Sequence, residues 1–393
     1  MADRPVADTV WILGAGFSRF LGAPLMNGLL EHRSIDEMNT LTRDMDLTPG
    51  GTEITDMVWI TEAFKSWENA VERRTAEQFI EQIVIAKAAA LDSPSEAPKA
   101  AAYAKMADLW RVHANHSSFR VGFDMAKGNA EQVAPLIKRM YEAVLRLVVL
   151  NTTTFVRELT IEEERMIPYL SWSRQLANSD CIVSFNYDGV LNLLQEWAGR
   201  IRVLTAAIDS GQEQADWQTW LDESDDSDCA MALPMHGCLA WSCPQTSPLD
   251  TWLARPSLAN PGSFPIGLPG PDKAKESRRR QSMWNLASTF LSNARRIIFV
   301  GYSCPTTDMH ALSLMQRAIA TNARLQDIHL VLGEDEPVKA RLKRILDLMT
   351  PGTAPKQITR VRDSNLLAEE YLLCYNATED RLSTQHLAGG GIL

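Results

Sequence analysis

The sequence predicts an α/β protein: a parallel, doubly wound sheet with helices on both faces and a mostly helical inserted module. Three observations carry this. Short apolar runs alternate with helix-length segments from Cys181 onward. An isolated apolar run, Thr9–Leu13, breaks at the glycine turn Gly14-Ala15-Gly16. Between about Glu53 and Leu150 the chain is rich in Ala, Glu, Lys, Met and Leu, with helical rather than alternating spacing.

In chain order, Thr9–Leu13 reads as a buried strand, and Phe17–Leu30 as the start of a helix or loop-helix. Phe79, Ile83 and Ala86 or Lys87, widened by Ile80 and Val84, form one apolar helical stripe; Leu136, Met140, Val144 and Leu147 form another. Ser93-Pro94-Ser95 and Ala97-Pro98 punctuate between helices. Further strands are expected at Cys181–Phe185, Ile201–Leu204, Met231–Met235, Ile297–Val300 and Ile328–Leu332. Helices are expected at Asp188–Trp197, Met283–Ala294, Thr307–Ala320 and Pro337–Met349, the last with its proline at the start, where the missing N–H does no harm. The implied organisation is 1–50 for the first part of the sheet domain, 51–165 for the helical insertion, and 166–393 for the rest of the sheet domain with C-terminal helices.

Two segments are expected to be surface loops. The stretch 209–228 carries eight acidic residues and no Lys or Arg. Gly262–Arg280 is rich in Pro and Gly and ends in Lys273, Lys275, Arg278, Arg279 and Arg280.

Bulk properties narrow the class. A length of 393 residues exceeds the usual single domain, and 45% hydrophobic with 22% charged residues is the balance of a globular enzyme. No apolar run approaches the roughly 18 residues that span a bilayer. The start, Met1-Ala2-Asp3-Arg4, lacks a secretory pattern, so a cytoplasmic location with reduced thiols at the six cysteines is expected. A net charge of −10 argues against strong direct binding of nucleic acid by bulk electrostatics.

Four short segments carry the candidate chemistry. Gly14-Ala15-Gly16-Phe17-Ser18 follows a strand; its glycines allow either a sharp βα turn alone or close backbone approach to a pyrophosphate. It departs from G-x-G-x-x-G because Arg19 stands at the third glycine position. Asn186-Tyr187-Asp188 places two polar side chains at a strand's carboxyl end, where ligands bind in open α/β sheets and where helix caps also occur. His236, between Met235 and Gly237, is a candidate general acid–base. Zinc is not expected: Cys238 and Cys243 have no second pair to complete a tetrahedral site. Gly301-Tyr302-Ser303-Cys304-Pro305 can offer donors to a phosphate or ribose, or form a plain turn capped by Thr307 or Asp308.

In this order the segments resemble the sirtuin-like NAD-consuming family, particularly its bacterial antiphage-defence branch. Gly14–Ser18 is similar to that family's phosphate turn, Phe185-Asn186-Tyr187-Asp188 to its Asn-x-Asp motif, Met235-His236-Gly237-Cys238-Leu239 to its His-Gly motif, and Gly301-Tyr302-Ser303 to its late ribose-phosphate loop. Glu77–Ile83 also looks like a helix of the inserted module. The resemblance runs roughly from Val10 to Leu332 and implies a Rossmann-like domain with NAD as substrate. By it, Asn186 would hold the nicotinamide-side ribose and a water, Asp188 would recognise the carboxamide, and His236 would act on a ribose hydroxyl or the water. Gly14, Ala15, Gly16, Ser18, Gly301 and Ser303 would hold the diphosphate and adenosine side, with Phe17, Tyr302 and Asp308 completing the cofactor-binding set.

The chain departs from protein-deacetylating sirtuins. Leu25-Met26-Asn27 follows Gly22-Ala23-Pro24 where those enzymes carry Pro-Asp-Phe-Arg, and their zinc ribbon is missing. The expected activity is therefore NAD⁺ hydrolysis to nicotinamide and ADP-ribose, linear or cyclic. The resemblance further implies antiphage depletion of NAD, gated by homo-oligomerisation or by a partner subunit such as a HerA-like ATPase or an Argonaute-type protein. Protein deacylation or ADP-ribosyl transfer, and a non-catalytic reader of NAD or ADP-ribose, are the alternatives.

Overall fold

The computed structural model describes residues 7–44, 51–70, 75–92, 100–101, 104, 106, 130–159, 163–204, 228–237, 239, 266–305, 308–349 and 360–375. The chain forms two compact units, one from Met1–Ala23, Glu158–Cys238 and Ser277–Leu393, the other from Pro24–Arg157 and Leu239–Glu276.

The first unit is built on a seven-stranded sheet. The strands are β1 (Thr9–Leu13), β2 (Asp180–Ser184), β3 (Ile201–Val203), β4 (Ala230–Pro234), β5 (Arg296–Val300), β6 (Asp327–Val331) and β7 (Arg360–Ser364). They run in the order β3-β4-β2-β1-β5-β6-β7, and every pairing is parallel. The α/β expectation therefore holds. β1 is buried along its whole length, which is why it reads as an unbroken apolar run rather than an alternating one. The ends are in register: Leu13 pairs with Ser184 and Val300, Ser184 with Pro234, and Val300 with Val331. The segments that follow these strands thus leave the sheet along one edge.

Helices Ile167–Ser173, Val190–Ala198, Gln281–Asn293, Met309–Thr321, Glu336–Met349 and Ala368–Cys374 belong to this unit. Trp11 of β1 anchors an aromatic cluster, with ring centroids 5.2 Å from Trp172 and 4.8 Å from Tyr375 in edge-on contact. The sequence reading missed β7. Its Arg-Val-Arg-Asp-Ser sequence is polar because it is an edge strand, with Val361 46% exposed.

Two other expectations are corrected. The segment Phe17–Leu30, expected to begin a helix or a loop-helix, holds no long helix: a single turn, Ala15–Ser18, is followed later by a 3₁₀ segment at Met26–Leu30. Gly22 takes φ of +101°, and Pro24 disfavours helical backbone at Ala23, so the helix cannot continue. The anticipated loop Gly262–Arg280 contains the helix Pro271–Arg279, started by its proline; residues 262–265 lie outside the described residues.

That helix misled because its charges are satisfied inside the second unit. Asp272 and Lys273 are buried: Lys273 Nζ lies 3.6 Å from Glu77, Lys87 Nζ lies 3.7 Å from Asp272, and the Tyr141 hydroxyl donates to the other Asp272 oxygen. The second unit otherwise comprises helices Ile35–Asp44, Gly51–Ala70, Ala76–Lys87 and Ala130–Leu159. Thr75 and Gln78 form a capping box at the third of these, whose stripe Phe79, Ile80, Ile83, Val84 and Ala86 is buried as expected. On the last, Met140, Val144 and Leu147 are buried and Leu136 only partly. Arg139 forks onto Asp56 through bonds of 3.0 and 2.6 Å, joining helix Ala130–Leu159 to helix Gly51–Ala70. Among the described residues, no helix is long and apolar enough to cross a membrane.

Candidate active site

The four motif segments leave four consecutive strands of the first unit: His236 follows β4, Asn186 and Asp188 follow β2, Gly14–Ser18 follows β1, and Gly301–Cys304 follows β5. At about 4.8 Å per inter-strand step, they cover roughly 14 Å of the sheet's carboxyl edge. The order changes direction about β1, the position at which open α/β sheets open a crevice.

The glycines acquire a structural explanation here. A Cβ on Gly14 would lie 2.5 Å from the Tyr302 Cα, and one on Gly16 would lie 2.6 Å from the Gly301 Cα. Gly301 itself has φ of +61°, and its own Cβ would meet the Gly16 carbonyl carbon at 2.3 Å. The segment after β5 crosses directly over the turn after β1, and only three glycines let two backbones come so close. The crossing has hydrogen bonds of its own: the Gly16 amide donates to the Gly301 carbonyl at 3.0 Å, the Gly14 amide to Val300 at 3.1 Å, and the Phe17 amide to Gly14 at 2.8 Å. Those three amides are therefore engaged within the protein. Phe17 points inward, its ring 5.1 Å from Tyr169 and 5.5 Å from Trp172, while the Tyr169 hydroxyl donates to the Phe17 carbonyl at 2.6 Å.

The crossing brings distant residues together. Tyr302 stacks on Phe185 with centroids 4.5 Å apart and planes at 19°, and Phe185 in turn lies 5.1 Å from the His236 ring. Tyr187 and Trp284 each approach that imidazole at 6.3 Å. Asp308, at the head of the helix after β5, reaches His236: its Oδ2 is 2.9 Å from Nε2, with the two side chains 1% and 3% exposed. The contact is close in distance but bent away from hydrogen-bond geometry. The other oxygen of Asp308 accepts from the Ala311 amide at 3.3 Å. Cap and imidazole partner are thus one residue, using its two oxygens for the two tasks.

Asp188 repeats the pattern. One oxygen accepts from the Val190 amide at 3.1 Å, as a cap would. Its carboxyl also takes a hydrogen bond from the Ser18 side chain, and Ser18 accepts from Asn186 Nδ2 at 3.3 Å. The result is a directed relay, Asn186 amide to Ser18 hydroxyl to Asp188 carboxyl, joining the turn after β1 to the loop after β2. Asp188 keeps some exposure as a residue while its carboxyl lies deep, and that burial pushes its pKa up to about 6 against the lowering effect of the Val190 and Ser18 bonds. Asn186 is 8% exposed.

Of the remaining candidates, Ala15 is partly exposed, and Ser303 is exposed with its carbonyl accepting from Arg341 Nη2. Cys304 adopts φ of +50°, a conformation that costs a non-glycine residue energy. Burial pushes its thiol up to about 12, so it stays protonated at neutral pH. Cys238, Cys243, Thr306 and Thr307 lie outside the described residues.

Sequence reading missed the aromatic surround of Phe185, Tyr187 and Trp284, the bridging role of Ser18, and Arg341. The first two carried a usable signal, since Phe185, Tyr187 and Ser18 stand inside the quoted motifs and Trp284 follows the Arg278–Arg280 run. Arg341 carried none, because it stands on an ordinary amphipathic helix. No protein-family model matches this chain, and no curated protein matches it either.

Proposed function

We propose that this protein is an NAD⁺ glycohydrolase, releasing nicotinamide and ADP-ribose at the carboxyl edge of the sheet. The observation that carries the reading is the pairing of two polar constellations on neighbouring strands. Asn186 and His236 each stand two residues beyond the paired residues Ser184 and Pro234, one joined to Ser18 and Asp188, the other set against Asp308.

The chemistry asks for little else. Nicotinamide in NAD⁺ leaves as a neutral molecule from a cationic state, so departure needs no general acid. The protein must hold an oxocarbenium-like ribose and deliver water, which preorganised dipoles and one base can do. With Asp308 favouring the proton on Nε2, the imidazole presents Nδ1 as its basic nitrogen toward a ribose hydroxyl or the water. Asn186, oriented by its donation to Ser18, offers its carbonyl oxygen to the ribose and the water. By the resemblance Asp188 would recognise the carboxamide, and the stacked Phe185 and Tyr302 supply an apolar wall that strengthens these interactions.

The biological reading follows from the resemblance: NAD depletion in antiphage defence, held in check by self-assembly or by a partner subunit. The test follows nicotinamide release by chromatography from the purified protein, alone and with co-purified partners. Turnover is expected to disappear in Asn186→Ala and in His236→Ala with thermal unfolding preserved; full turnover in both variants removes the mechanism.

A further inference from the structure

The two carboxylates that serve the candidate site, Asp188 and Asp308, make it a poor home for a doubly charged diphosphate unless a cation is near. The glycine turn is a weak substitute, since the amides of Gly14, Gly16 and Phe17 already donate within the protein. We propose that Arg341 is the cation that holds the diphosphate, on the adenosine side of the site. The inference rests on the NAD-binding reading and adds a residue to it that the motifs do not contain.

The geometry comes from one helix between two loops. Helix Glu336–Met349 follows β6, and β6 lies between β5 and β7. Lys339, 1% exposed, donates to Glu336 at 2.9 Å and to Asn365, just after β7, at 2.6 Å. This pins the first turns of the helix on the β7 side. Arg341 is two residues further, about 200° around the helix, and therefore faces the β5 side. There its Nη2 donates to the Ser303 carbonyl, and its charge is felt by the neighbouring Cys304 thiol.

A guanidinium has five N–H donors in a rigid fork. One contact to Ser303 leaves the others, and Arg341 Nε is buried with no hydrogen-bond partner among the described residues. A group with this shape and charge matches phosphate oxygens in a bidentate manner. The order along the sheet edge agrees with the assignment. The glycosidic bond would sit at β4 and β2, so the diphosphate would extend over β1 and β5, toward the helix that carries Arg341.

The experiment measures binding of ADP, NAD⁺ and nicotinamide riboside by titration calorimetry on the full chain, in wild type, Arg341→Gln and Arg341→Lys. Arg341→Gln is expected to weaken ADP and NAD⁺ by about 10- to 100-fold, in line with the loss of charge-assisted hydrogen bonds, while leaving the phosphate-free riboside unchanged. Arg341→Lys, which keeps the charge without the fork, should recover only part of the loss and serves as the folding control. Equal weakening of all three ligands means that Arg341 only supports the Ser303 loop and overturns the proposal, as do unchanged ADP binding in Arg341→Gln and no ADP binding by wild type. NAD⁺ that binds in an Arg341-dependent way but is never cleaved would defeat the hydrolase reading and leave this one standing.

Discussion

The substitution Asp188→Asn should stabilise the protein at neutral pH while reducing its activity, and the size of the gain should depend on pH. The carboxyl lies deep, and burial raises its pKa from 3.8 to about 6. Because the folded value is raised, the folded protein holds a proton that the unfolded chain has already lost between those two values. Folding therefore costs nothing extra below about pH 4, and the cost grows until it is complete above about pH 6. A shift of roughly two units at 1.36 kcal/mol each sets that cost at about 3 kcal/mol, an upper figure because the residue keeps some exposure. The substituted amide would carry no charge and so no such penalty, and its side-chain oxygen can still accept from the Val190 amide. The variant should unfold several degrees higher than wild type at pH 7 to 8, with the advantage shrinking toward zero near pH 4. Parallel thermal scans across that range, with nicotinamide release measured on the same samples, make the comparison. A difference in midpoint that is constant from about pH 4 to pH 8 would refute the argument, since it would mean that Asp188 titrates normally in the fold.

Other outcomes follow from the same geometry. Asp308→Asn should lower turnover by about 10- to 100-fold, because the imidazole loses the carboxylate 2.9 Å from its Nε2 that orients it; undiminished turnover would leave Asp308 as a helix cap only. Gly16→Ala should destabilise the first unit by about 2 kcal/mol or more, since the new methyl would lie 2.6 Å from the Gly301 Cα. Gly199→Ala, with φ of +64° but nothing within 4 Å, should cost only about 1 kcal/mol; similar chemical-denaturation midpoints for the two would exclude the crossing as the cause. Arg139→Ala should destabilise the second unit by about 1–3 kcal/mol by leaving the buried Asp56 carboxyl unpaired, and the loss should diminish in an Asp56→Asn background.

Five of the seven strands were legible because they are central: buried on both faces, they must be largely apolar, and the glycine or polar residues after them mark where they stop; the short edge strand β3 was legible because Ile201 and Val203 are buried. β7 escaped because an edge strand with a solvated side has no such requirement, and the helix Pro271–Arg279 escaped because ion pairs with Glu77 and Lys87 let charged residues be buried. The candidate site was legible as a set of segments, each with two meanings. Asp188 and Asp308 read equally as caps and as site residues, and the carboxyl of each meets a second group besides a helix-start amide, Ser18 for Asp188 and His236 for Asp308.

By itself, then, the chain determined the alternation of strands and helices and the residue types at the strand ends, since burial and turn geometry act locally and leave a periodic trace. Which ends become neighbours was decided only by the strand order, which no local pattern encodes. That order sets β4, β2, β1 and β5 side by side, and the glycine crossing then carries Tyr302 to Phe185 and Asp308 to His236. Contacts between residues 72 to 117 positions apart depend on how the whole sheet closes, and a helix residue such as Arg341 gains its meaning only from the loop that the sheet places beside it.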